Sequence, residues 1–130
     1  SIFWRGIAMR EVKLRAWVTT YSGGNIMADV LWINFREHVI LADNGLQYTD
    51  YKLMQFTGLC DRNGKEIYEG DIVEVTGTPY YAKRGQVVFN GKEYGLLDAN
   101  NGFCADFVWE DWERFFEVIG NIYENPELLK

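Results

Sequence analysis

Four Asn-Gly dipeptides, at 44–45, 63–64, 90–91 and 101–102, constrain this chain more than any other feature of its sequence. A type I′ turn needs positive φ at both central residues, and Asn-Gly meets that demand with little strain. Between alternating apolar segments, each dipeptide therefore predicts a β-hairpin. Asp43-Asn44-Gly45 separates residues 38–42 from 46–49, and Asn63-Gly64 joins the region 54–59 to a strand starting at Glu66. Asn90-Gly91 links 86–89 to 93–97, and Asn101-Gly102 precedes 103–108.

The intervening segments carry the matching period. Over 11–18, Val12, Leu14, Ala16 and Val18 fall on one face and Glu11, Lys13, Arg15 and Trp17 on the other, the pattern of a half-buried strand. Ser22-Gly23-Gly24-Asn25 suits a reversal, and a return strand is expected within 26–35. The exception is 109–116, where Trp109, Trp112 and Phe116 fall at helical spacing among Glu110, Asp111, Glu113 and Arg114, which predicts a short amphipathic helix. Residues 117–123 read as a last strand. Asn125-Pro126-Glu127 then supplies an N-cap, a proline at the first helical position and an early acid, which predicts a final helical turn docked by Leu128 and Leu129. The expected fold is mainly β: a small antiparallel, partly barrel-like domain built from hairpins, with a short helix near 109–116 and a helical turn at its C-terminal end.

Composition removes several function classes. The chain of 130 residues carries thirteen basic and nineteen acidic side chains, a net charge of -6 that repels phosphate backbones. No apolar stretch approaches the roughly 20 residues of a membrane helix. Cys60 and Cys104 have no Cys-x-x-Cys or Cys/His neighbourhood, so reduced buried thiols in a cytoplasmic protein are expected, with no metal and no cofactor. Ser1 to Ala8 precede Met9, from which MREVKLRAW reads as a natural start, so 1–8 are expected to be an added or upstream extension.

Catalytic signals are missing in the same way. His38 is the sole histidine and has no nucleophile motif near it, so it reads as an ordinary strand residue; no phosphate-binding glycine loop occurs. Glu66, Glu69, Asp71 and Glu74 lie close in sequence, but on a strand Asp71 and Glu74 point to opposite faces, which favours a solvated edge over a metal or acid/base site. No catalytic residue is expected and the chain is read as a non-enzyme. The aromatic share of 16%, with five Trp, exceeds what one small core requires. Trp109, Trp112, Phe115 and Phe116 are the expected protein-contact surface, engaging a partner protein or a second copy. The alternative is a nucleic-acid patch at Tyr80, Tyr81, Lys83, Arg84 and Lys92, since aromatics beside cations hold single strands; the overall acidity disfavours it.

Three blocks, MREVKLRAW from Met9, LMQFTGLCDRNGKEIYEGDIVEV from Leu53 and FEVIGNIYENPELL from Phe116, occur in order. Together they resemble the YopX family of bacteriophage and prophage proteins, from Met9 to Leu129, which marks 9–130 as one YopX-like domain. The resemblance implies a small phage-encoded accessory protein of a bacterial cytoplasm; it brings no known activity and no catalytic residues. Its structural positions here are Gly58, Asn63, Gly64, Tyr68, Gly70 and Asp71, with Gly70 turning a tight corner. Cys60 stands where the family is expected to vary, which argues against a reactive thiol. Gly-Asp-x-Val followed by a Gly-x-Val-Val strand is also similar, at the level of fold alone, to small SH3-like barrels.

Overall fold

The computed structural model describes residues 12–76, 84–98, 103–106 and 112–130, with backbone alone for 103–106 and 112–113. The extension expected at 1–8 lies outside the described residues. The chain divides into two compact units, Ser1–Phe56 and Thr57–Lys130.

The first unit is a run of antiparallel hairpins: β1 (Leu14–Thr19), β2 (Asn25–Asn34), β3 (Val39–Ala42), β4 (Gln47–Tyr48) and the first part of β5 (Tyr51–Cys60). They lie side by side in the order β4-β3-β2-β1-β5. Register follows the alternation. Ala16 stands opposite Ala28 and Leu53, and Val18 opposite Ile26 and Tyr51, so apolar side chains stack on one face. That face forms a core of Ala16, Val18, Ala28, Ile40, Ala42 and Tyr48, with Val30, Ile33, Tyr51 and Leu53 packed on it. Val12, placed by alternation on the buried face, instead precedes the strand and is exposed.

In the second unit the rest of β5 is followed by β6 (Glu66–Tyr68), which lies beside it, then β7 (Asp71–Val75), β8 (Arg84–Phe89), β9 (Tyr94–Leu97), β10 (Phe103–Asp106) and β11 (Phe116–Asn121). The last five form an antiparallel sheet ordered β10-β9-β8-β7-β11. Ile67, Val73, Val75, Val87, Tyr94, Leu96 and Phe116 make its core. Fully burying a side chain such as Phe116 contributes roughly 2 kcal/mol. Neither sheet closes among the described residues, so two open antiparallel sheets replace the barrel-like arrangement the sequence suggested.

Among the described residues helical structure is limited to 3-10 turns at Trp112–Phe115 and Pro126–Leu129. The amphipathic pattern at 109–116 does not become an α-helix through Phe116, because Phe116 pairs with Val75 at the start of β11 and is fully buried there. Residues 109–111 lie outside the described residues. Pro126 opens the final turn as expected, but Asn125 makes no side-chain cap to it, and Leu128 and Leu129 are half-buried.

The Asn-Gly turns are hairpin turns of a different type from that expected. In two of them a three-residue loop closes on itself: Gly45 N–H donates to Ala42 O and Ala42 N–H to Leu46 O, and the same pair of bonds joins Gly64 to Asp61 and Asp61 to Lys65. Gly45 and Gly64 have φ of 85° and 82°, whereas Asn44 and Asn63 keep negative φ. This is a type I turn followed by a left-handed glycine bulge. At the third, Asn90 N–H donates to Glu93 O across Gly91 and Lys92. Asn101-Gly102 lies outside the described residues.

The β2–β3 turn uses no glycine. His38, expected within a strand, takes the left-handed position at φ 55° and is exposed, while Asn34 Oδ1 accepts the N–H groups of Arg36 and Glu37. Left-handed backbone costs an L-residue roughly 1–2 kcal/mol, partly offset by the entropy a glycine loses on folding. His38→Gly is therefore expected to raise unfolding free energy by about 0.5–1 kcal/mol, read as a higher urea midpoint at unchanged slope. A lower midpoint would contradict the assignment of strain to this residue.

Candidate functional site

Of the five acids in the block from Leu53 to Val75, Asp61, Glu66, Asp71 and Glu74 are bonded within the fold. At the tip of the turn after β5, Asp61 is 6% exposed. Its Oδ1 accepts the N–H groups of Asn63 and Lys65, each at 2.9 Å, and its Oδ2 accepts Val118 N–H at 2.9 Å. Burial pushes the Asp61 carboxyl up, but the N–H groups of Val118, Lys65 and Asn63, with the Lys65 charge, outweigh it and hold the pKa below the ordinary value. Arg62 extends the grip: its N–H donates to Phe116 O, its guanidinium pairs with Glu117, and Nη1 donates to Thr76 Oγ1 at 2.7 Å. Asn63 and Gly64 thus belong to a turn that holds β11 in place. A carboxylate saturated by three amides is a poor proton acceptor.

The corner between β6 and β7 works similarly. Tyr68 N–H donates to Asp71 Oδ2 at 2.7 Å, and Asp71 is 1% exposed. Gly70, at φ 88°, gives its N–H to Val87 O and receives Ile122 N–H on its carbonyl, so the corner is bonded on both sides. Gly58 also has φ 88°, within β5, where the neighbouring Thr57 Oγ1 donates to Ile67 O.

Downstream, Asn121 pairs with Asp71 in the β7–β11 ladder. Its Oδ1 accepts the N–H groups of Tyr123 and Glu124, its Nδ2 donates to Glu124 Oε1, and its backbone N–H donates to Asn125 Oδ1. Asn125 fills the space over Gly120, where an added Cβ would meet Asn125 Oδ1 at 2.6 Å. The run Gly-Asn-Ile-Tyr-Glu-Asn-Pro is a polar cap bonded within itself and, through Ile122 N–H, to Gly70 O.

The four acids considered together at 66–74 do not converge on one point of chemistry. Asp71 is buried at the corner, Glu66 Oε1 accepts from Tyr68 Oη, Glu74 pairs with Arg84 at 3.2 Å, and Glu69 is half-buried. Among the described residues no three His, Cys, Asp or Glu side chains are grouped to hold a metal ion. Cys60 is a half-buried free thiol.

Of the expected contact surface, Phe116 lies fully buried in the second core and Phe115 packs partly buried against it. Trp109 and the side chain of Trp112 lie outside the described residues. So do Tyr80, Tyr81 and Lys83 of the alternative patch; Arg84 is exposed but engaged with Glu74 and with Leu128 O, and Lys92 is exposed on the β8–β9 turn.

Sequence reasoning missed a different surface. Leu31, Trp32 and Phe35, at the end of β2 and in the turn beyond it, are 62%, 42% and 72% exposed. A register shift between Val30 and Trp32 explains why: it interrupts the alternation, so this apolar run cannot all face the core. The signal was present in Val-Leu-Trp-Ile, four apolar residues with no alternation between them.

These features define a mainly β chain in which Asp61, Asp71 and Asn121 are built into the turns. Residues 7–130 match the family model described as YopX protein, and the chain belongs to that family. Among solved structures it is similar to that of protein EF1440 from Enterococcus faecalis, with a TM-score of 0.60 and 25% identity, covering 92% of this chain and 99% of that one. Among curated protein sequences none matches. No helix among the described residues is long and apolar enough to cross a membrane.

Asp61 gives a pH-dependent prediction. Its folded pKa is lowered, so the stability it contributes is fully present above its ordinary value of 3.8 and is lost as pH falls through the lower folded value. Asp61→Asn replaces one acceptor by an N–H₂ facing another donor, and is expected to cost about 1–3 kcal/mol at neutral pH. Urea titrations at neutral and strongly acidic pH should show the gap between wild type and variant narrowing in acid.

Proposed function

We propose that this YopX-family chain is a phage-encoded accessory protein without enzymatic activity, working in the bacterial cytoplasm by binding another protein through Leu31, Trp32 and Phe35. The observation that carries the reading is the exposure of these three large apolar side chains within the short run Leu31 to Phe35. Exposed aromatic and aliphatic groups presented together are the usual material of interface anchors. The Asx turn at Asn34, whose side chain holds the N–H groups of Arg36 and Glu37, fixes the backbone that carries Phe35. A partner would thus meet an ordered surface with little ordering entropy to lose.

The acids support the same reading from the other side. Asp61 and Asp71 accept backbone N–H groups, which leaves these two motif carboxylates committed to holding the fold rather than to transferring protons. The net charge of -6 points away from phosphate backbones as partners.

The test is affinity capture from host lysate with wild type and with a Trp32→Ala/Phe35→Ser variant, both first confirmed as folded by circular dichroism. A stoichiometric partner held by wild type is expected to be lost at least tenfold in the variant, the effect of about 1.4 kcal/mol at an anchor position. Capture of the same partner equally well by both proteins would refute this surface, and hydrolytic or transferase activity in the purified chain would refute the class.

A further inference from the structure

We infer that Asn90 is a self-modification site: of the described Asn-Gly pairs, Asn90-Gly91 is the one the fold leaves poised for cyclisation and deamidation. In this reaction a solvent base takes the Gly91 amide proton, and the nitrogen's electron pair forms a bond to Asn90 Cγ. The tetrahedral intermediate collapses with release of the side-chain nitrogen as ammonia, its extra proton coming from solvent. Water then opens the resulting cyclic imide at one carbonyl or the other, leaving aspartate or isoaspartate.

Three structural requirements follow from the chemistry, and the sites differ in all of them. The attacking N–H must be unengaged, because a hydrogen bond holds its proton and orients its nitrogen elsewhere. Gly45 N–H is held by Ala42 O at 3.0 Å and Gly64 N–H by Asp61 O at 2.9 Å, whereas Gly91 N–H has no acceptor among the described residues. The attacked carbonyl gains if donors already face its oxygen, since negative charge develops there. Asn90 Oδ1 accepts two backbone N–H groups, from Lys92 at 2.9 Å and Glu93 at 3.0 Å; Asn44 Oδ1 accepts one, from Leu46. Finally, the departing nitrogen must be released. Asn44 Nδ2 is tied to Tyr48 Oη at 2.9 Å, and no such bond holds the Asn90 amide among the described residues.

Asn63 lacks both the free nucleophile and the polarised carbonyl, and Asn44 has its nucleophile and its leaving group tied. The same dipeptide is therefore protected in two turns and exposed to reaction in the third. The two products differ in consequence. Aspartate at 90 retains an acceptor for Lys92 and Glu93, but isoaspartate adds a methylene to the backbone between Phe89 and Tyr94, the pair that closes β8 onto β9.

Ageing of the purified full chain in mildly alkaline buffer at physiological temperature, followed by peptide mapping with mass spectrometry, tests the ranking. Asn90 is expected to convert roughly fivefold or more faster than Asn44 and Asn63, the equivalent of releasing one neutral hydrogen bond at the nucleophile. In denaturing urea the three sites should react within about twofold of each other, since their protection comes from the fold. Asn90→Gln, which keeps a side-chain amide but would close a strained larger ring, should remove the fast component without altering the slow ones. Conversion of Asn44 or Asn63 as fast as Asn90 in the folded chain, or an unchanged ranking in urea, would overturn the assignment.

Discussion

A carboxylate taken out of water has to be given donors, and the turn at Asp61 gives it three, one of them from a strand far along the chain. Two of those donors shape the turn and the third fixes β11. Removing any one would leave buried charge short of a partner, which is costlier than losing an ordinary neutral hydrogen bond. With Arg62 bonded to Phe116 and paired with Glu117, the turn sets where β11 lies against β7, and so places Phe116 in the second core. The Asp71 corner and the Asn121 cap meet at the other end of the same strand pair. The second unit is thus fastened at both ends of β11 by polar side chains whose partners are mainly backbone.

Much of the hairpin order could be read from the residues, because alternation and turn chemistry act locally. The strands around Asn44, Asn63 and Asn90 lie close to their expected residues. What could not be read was set by tertiary pairing. Both Asn44 and Asn63 sit in loops one residue longer than the I′ form, which moves the positive φ onto glycine alone. Phe116 looks helical by spacing, but a place opposite Val75 and complete burial outweigh a local preference worth tenths of a kcal/mol. His38 resembled a strand residue since nothing in a single sequence marks a non-glycine residue as left-handed.

Legibility of the candidate site was poorer, for a related reason. Acids and aromatics advertise themselves in a sequence without revealing their environment. Asp61 and Asp71 of the 53–75 block prove to be internal acceptors, Phe116 is core material and Phe115 packs against that core. The exposed trio at Leu31, Trp32 and Phe35 depends on a register shift in β2, which arises from pairing with β3 and not from residue type.

The reach of the Asp61 bond also sets a sequence of events. Val118 stands 57 residues beyond Asp61, so a chain emerging from the ribosome N-terminal end first carries Asp61 into the open long before its third donor exists. In the first unit β1 to β4 pair as three successive hairpins and β5 returns to β1, Val18 meeting Tyr51, so its contacts are complete once β5 has been made. The β7–β11 ladder waits for a long loop to close and for nearly all of the described chain to be made. Translation therefore delivers the two units in order, with the charged latch of the second engaging last.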